Sequence, residues 1–176
     1  MILDKVLDTG DSKAGFIMRV ALSIVMLAHG GQQTIGILGG MGFTDKIEFY
    51  NQHFGVPFIF GFLGIVTISI GAIFVLLGWW TRLFAFLILI FLFTAMILGG
   101  HLENGILMNW EGTRAGEGFE YHILGMGLAL SLVFYGGGWM SIDRVLSKKW
   151  RDSGYREDRI SNYAAEENKK SETTEY

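Results

Sequence analysis

Apolar residues fall along this chain in four blocks separated by polar segments, whereas a soluble core would scatter them at helix or strand period. The block from Val56 to Gly78 contains no charged residue. As a helix at 1.5 Å per residue it reaches roughly 35 Å, enough to cross a bilayer with some tilt. Pro57, the only proline, sits where a helix begins, since the first turn has no use for its missing amide hydrogen. A third block, about Leu83 to Gly100, carries Phe84, Phe86, Phe91 and Phe93 and is preceded by Trp79, Trp80 and Arg82. Indole rings beside a snorkelling arginine mark a headgroup boundary. A fourth, about Ile123 to Ile142, contains Gly125, Gly127, Ala129 and Ser131, small residues that let helix backbones approach. The first, about Phe16 to Leu38, differs in holding Arg19, His29, Gln32 and Gln33.

These blocks predict an all-α polytopic membrane protein, a four-helix transmembrane bundle with both termini cytoplasmic. Four crossings put Lys5, Lys13, Arg19, Arg82 and the basic residues from Arg144 onward on one side, and only Lys46 and Arg114 on the other. The positive-inside rule makes the first side cytoplasmic, an asymmetry that three crossings would break. Asp4, Asp8 and Asp11 stand where a secretory signal would be basic, so the first block reads as a retained span. The expected organisation is a cytoplasmic segment over 1–15, a membrane domain over 16–146 and a charged, disordered cytoplasmic tail over 147–176. The basic stretch Lys148 to Arg151, beside Trp150, reads as topology-setting charge.

Charge and composition narrow the chemistry. A net charge of −3 implies no polyanionic partner, so nucleic acid is not expected. The chain has no cysteine, which removes disulfides, thiolate-ligated iron–sulfur clusters and dithiol exchange. Topology carries His29, Gln32, Gln33, His53, His101, Glu120 and His122 to the outer boundary. Ionisable groups within a span usually face a cavity or a partner, so His29 is expected to face the bundle interior, near Glu120 or His122. No pair has the H-x-x-x-H or H-x-x-E-H spacing of a metal site, and no metal is expected. Arg19 reads as snorkelling to phosphate, with a pairing to Asp143 as the alternative. Ile106, Leu107, Met108, Trp110 and Phe119 in the outer loop predict a lid folded over the bundle mouth.

Arg19, His29-Gly30, Gly55-Val56-Pro57, Gly78-Trp79-Trp80-Thr81-Arg82, Glu120-Tyr121 and Ser141-Ile142-Asp143 follow one another as in the DoxX family of small four-span membrane proteins, which the chain resembles over about Gly15 to Leu146. The resemblance implies a bacterial or archaeal cytoplasmic-membrane protein, similar to the membrane subunit of a thiosulfate:quinone oxidoreductase. The family pattern also places an acidic residue in the middle of the second span, where this chain reads Ile65-Val66-Thr67-Ile68-Ser69-Ile70-Gly71. On this basis the expected function is a subunit of a quinone-associated redox assembly. Glu120 and His122 would be catalytic, His29 and Gln33 would bind the quinone, and no cofactor would be covalently attached. Electrons would come from another subunit or a soluble donor. The competing reading is a non-enzymatic accessory subunit whose partners are lipids, other membrane subunits and an outer-side protein docked on residues 101–122. Transport is disfavoured, because no repeated broken-helix pair is visible.

Overall fold

A computed structural model describes residues 9–151 and 153; the tail expected to be disordered lies, apart from its first residues, outside them. The elements are α1 (Lys13–Thr34), α2 (Phe43–Phe54), α3 (Phe58–Leu77), α4 (Thr81–Leu98) and α5 (Glu120–Tyr135), followed by helical residues 142–151. Among the described residues there is no strand. Helices α1, α3 and α4 are long and apolar enough to cross a membrane, and α5 is a shorter apolar helix. The all-α polytopic bundle expected from the four blocks is therefore the fold. Ser12 caps α1 by accepting from the Gly15 amide at 3.3 Å, and Pro57 stands just ahead of α3, where its carbonyl accepts from the Phe60 amide at 3.0 Å.

Each span buries one stripe and leaves the rest of its apolar surface outward. Leu22 and Met26 of α1, Ile68, Ala72 and Val75 of α3, Ala85, Ile88 and Leu92 of α4, and Ala129 and Leu132 of α5 form the core. The three- and four-residue steps are the repeat of a helix face. Ile24, Phe60, Phe86, Phe93, Leu124 and Phe134 stay exposed, the outside a bilayer would cover. Of the small residues expected to pack in the fourth span, only half do: Gly125 and Ala129 are buried, whereas Gly127 and Ser131 lie two positions round the helix and face away.

Two local departures from regular helix set the shape of the bundle. In α3 the residues Thr67–Gly71 form a π-helical segment, at the stretch where the family pattern places an acid. Ser69 donates to the Ile65 carbonyl at 2.7 Å, and Gly30 of α1 lies so close that a Cβ there would stand 2.7 Å from the Ile68 carbonyl oxygen. A side chain at Gly30 would push the two helices apart. The fourth span also ends earlier than its apolar run suggests. Tyr135 is its last residue, and Gly136–Gly138 turn the chain back so that a new helix starts at 142.

Candidate functional site

The polar residues gather at the two ends of the bundle. At the end that the Lys and Arg distribution assigns to the cytoplasm, Arg19 is 1% exposed. Its Nη1 donates to the Leu76 carbonyl at 2.5 Å, and its Nη2 to the Trp139 and Met140 carbonyls at 3.1 Å each. It does not snorkel, because the last turn of α3 and the chain after α5 present it with carbonyls that have no helical partner. Asp143, equally buried, accepts from the Trp80 amide at 2.7 Å, the Thr81 amide at 2.9 Å and the Thr81 hydroxyl at 2.7 Å. A carboxylate thus caps the amino terminus of α4 from a distant segment, opposite the positive end of that helix dipole. Arg82 likewise donates to the Val133 and Phe134 carbonyls, at 2.7 Å each, in the last turn of α5. The alternative reading, a pairing of Arg19 with Asp143, gives way likewise to two separate helix-end caps. Gly78, at φ 70°, makes the turn between α3 and α4, and its carbonyl accepts from the Asp143 amide at 2.9 Å.

The opposite end holds a cavity of about 830 Å³. Its walls come from α1 (Met26, His29, Gln33), α2, the outer half of α3, α4, the 99–119 loop and the start of α5 (Tyr121, His122). Three of the four histidines line it. The rings of His101 and His122 lie 4.5 Å apart, and His29 packs 5.6 Å from Tyr121. His101 Nδ1 is 2.9 Å from the Glu117 carbonyl, an acceptor only, so Nδ1 carries the hydrogen and Nε2 of the neutral ring is left to accept. His122 is 5% exposed and its Nδ1 has no hydrogen-bond partner. A buried polar atom left unmatched costs free energy that a ligand can recover.

Helix α2, unforeseen in the sequence, closes one side. Its Lys46, Phe49, Tyr50 and Phe54 share one face and line the cavity. The Lys46 ammonium rests 4.7 Å from the Phe49 ring centre and 4.8 Å from that of Tyr50. Burial pushes the Lys46 ammonium below its ordinary pKa. Burial also pushes the Tyr50 phenol up to about 12, although its bond to Gln33 opposes that rise. In this bond the Tyr50 hydroxyl donates to Gln33 Oε1 at 2.8 Å, which aims the Gln33 amide group.

Of the site residues expected from the sequence, His29, Gln33 and His122 reach the cavity wall and Glu120 does not. The Glu120 carboxylate accepts from the Met108 amide at 3.3 Å and its own amide donates to the Ile106 carbonyl at 2.8 Å, so both groups hold the loop. His53 stacks on Phe49 at 4.3 Å and is not a lining residue. The lid is only partly as foreseen. Met108, Glu117 and Gly118 face the cavity, while Ile106, Leu107 and Trp110 point outward, Trp110 being 89% exposed. Lys46, Tyr50 and His101 join the site beyond those expected. The i, i+3, i+4 spacing of Lys46, Phe49 and Tyr50 is the available signal for the first two.

The motifs that suggest a family sort onto these two ends. Arg19, Gly78 to Arg82 and Ser141 to Asp143 build the inner clasp, and His29-Gly30, Gly55 to Pro57 and Glu120-Tyr121 stand at or beside the cavity. Comparison with curated proteins returned no match, and comparison with solved structures returned none. A family model described as "TQO small subunit DoxD" matches residues 40–160, from just ahead of α2 to beyond α5. The match takes in most of the cavity wall and, apart from Arg19, the side chains of the clasp; the chain belongs to this DoxD family of DoxX-like membrane proteins.

Proposed function

We propose that this chain is a subunit of a quinone-linked redox assembly of the cytoplasmic membrane, and that its outer cavity receives the quinone ring. The observation that carries the reading is the unpartnered, buried Nδ1 of His122 in a largely apolar cavity, beside a second histidine and a tyrosine, in a chain of the DoxD family. A quinone has two carbonyl oxygens that need hydrogen bonds and, on reduction, protons. The residues present fit it: His122 has an unused ring nitrogen that donates in its Nδ1–H tautomer, Gln33 an amide group aimed by Tyr50, His29 stands opposite Tyr121, and the accepting Nε2 of His101 suits the hydroxyl of the reduced ring.

When bound, a quinone supplies two-electron redox chemistry, and the electrons come from another subunit or a soluble donor. The work of this chain is to position and to exchange protons. His122 would donate to one ring oxygen and pass it a proton as the ring is reduced, and His101, held at Nδ1 by the Glu117 carbonyl, would take up a proton at Nε2 to replace it. His29 and Gln33 would orient the other oxygen. The apolar walls and the lid exclude water, which strengthens each of these hydrogen bonds. Glu120 acts as a positioning residue, its carboxylate holding the Met108 amide of the lid.

The test is native quinone content. The chain with its co-purifying subunits, isolated in mild detergent and analysed by mass spectrometry, should retain quinone, and His122→Leu should lose it while leaving the oligomeric profile intact. Retention unchanged by His122→Leu refutes the reading. Cysteines placed at Thr113 and Ser153 check the orientation: an impermeant reagent on intact cells should label the first and spare the second. The accessory reading is favoured by one observation, the outward Ile106, Leu107 and Trp110 of the lid. Constant co-purification of an outer-side protein without any quinone would select it.

A further inference from the structure

The cavity is not closed on all sides. Phe91, Thr94, Ala95 and Leu98 of α4 form an i, i+3, i+4, i+7 stripe, the spacing that elsewhere in this bundle meets a neighbouring helix. Here the stripe meets the cavity. Lower down, α4 packs on the π segment of α3 and along α5. On the way out Gly64 of α3 approaches the Phe91 ring of α4, where a Cβ on the glycine would stand 3.3 Å away. Beyond it α3 turns its face to α2: a Cβ on Gly61 would meet Ile47 and Tyr50, not α4. Phe60, Thr94 and Leu98 line the cavity and are exposed. Exposed side chains in the wall of a cavity mark where it opens, and these stand along the outer part of two membrane spans, at the depth of lipid chains.

We propose that this gap is a lateral slot, through which an amphiphile of the outer leaflet inserts its polar ring toward His122 and leaves its apolar chain between α3 and α4. Naming that amphiphile a quinone rests on the proposed redox function; the slot itself does not. The shape supports it. A six-membered ring occupies a small part of 830 Å³, and the unpartnered nitrogen is buried in a wall that is otherwise largely apolar. An apolar chain threaded through the slot would cover Phe60, Phe91 and Leu98, which otherwise face either bilayer or void. Gly64 and Phe91 form the floor that stops it from sliding deeper.

Two probes of the same benzoquinone ring, one bare and one with a decyl chain, separate ring from chain when titrated against the full chain in nanodiscs. Burying even two methylenes is worth roughly tenfold in affinity, so the decyl probe should bind at least about tenfold more tightly than the bare ring. Thr94→Trp, which fills the slot from an exposed position, should bring the decyl probe down to the level of the bare ring and move the bare ring less than about twofold. Equal affinities for the two probes, or an equal loss of both in Thr94→Trp, overturns the slot. A photo-crosslinking benzoylphenylalanine in place of Thr94 gives a readout that needs no quinone. Crosslinks to acyl or isoprenoid chains support the slot even if neither probe binds, an outcome that would sink the quinone reading alone. Crosslinks confined to Phe60 and its neighbours on α3 mean that the gap is shut, and overturn it.

Discussion

The two ends of the bundle use similar residues in opposite ways. At the clasp, Arg19 and Asp143 are buried and, although Arg19 Nε has no partner, their other bonds go to backbone groups at helix termini and to the Thr81 hydroxyl, so three chain segments are locked together. At the cavity, His122 is nearly as buried and its Nδ1 is left without a partner, while His29 and Gln33 hold only light contacts. Satisfied buried polar groups fix a structure, and unsatisfied ones are tolerated where a ligand completes them. The clasp therefore reads as the stabilising end of the molecule and the cavity as the working end.

The sharpest way to break this comparison is to exchange the costs. Asp143→Ala leaves the Trp80 and Thr81 amides and the Thr81 hydroxyl without their acceptor, and should destabilise the fold by on the order of 3–5 kcal/mol. His122→Leu removes an atom that was already unmatched and should leave stability within about 1 kcal/mol. Thermal unfolding of both variants in the same detergent, followed by tryptophan fluorescence, measures the difference. Equal losses would mean that the cavity is as structural as the clasp.

Much of this division is legible in the sequence. The spans are visible because lipid leaves no alternative to long apolar helices, and the gathering of His29, His101 and His122 follows from counting crossings. Three things are hidden. Helix α2 is short and of mixed polarity, so Phe43–Phe54 carries no span signal, and its packing shows only once Gly61 of α3 is there to receive Ile47 and Tyr50. The end of α5 escapes a reading of the apolar run alone, which passes over the helix-stop signal of Gly136–Gly138. Arg19 points to lipid phosphate in the sequence because nothing local reveals the carbonyls of Leu76, Trp139 and Met140, two of which lie more than a hundred residues away in the chain.

A middle-sized effect sharpens the comparison at Glu120, which sits at the working end and holds structure. Its carboxylate accepts from the Met108 amide, a bond that a glutamine side-chain oxygen can also make. If Glu120 acts only by positioning the lid, Glu120→Gln keeps quinone-dependent turnover of the membrane assembly and Glu120→Ala reduces it, by roughly fivefold for a lost bond of about 1 kcal/mol. If it trades protons, both variants lose turnover alike and the glutamine variant loses the pH dependence that a carboxylate gives to the acid side of the profile. Turnover across pH for the two variants decides which of these roles Glu120 has.

The smallest effect concerns Tyr50, whose hydroxyl ties α2 to Gln33 of α1. Tyr50→Phe should cost about 1 kcal/mol, the net worth of one such bond. Its pH dependence is more telling. The phenol is raised by burial from 10.0 to about 12, so the folded protein keeps a proton that the unfolded chain releases. A raised pKa gives stability that is fully present below pH 10 and is lost as pH climbs toward about 12. Lys46, against the same ring, runs the other way. Its lowered pKa means that the folded form gives up its proton first, so its contribution rises with pH until the unfolded lysine also titrates. Lys46 is thus neutral before Tyr50 ionises and offers the phenolate no counter-charge. The difference between the stability curves of the native protein and Tyr50→Phe isolates the phenol, since both retain Lys46. It should be constant below pH 10 and shrink above it; a difference that does not shrink would show the Tyr50 hydroxyl to be open to water and α2 to be loosely held over the cavity.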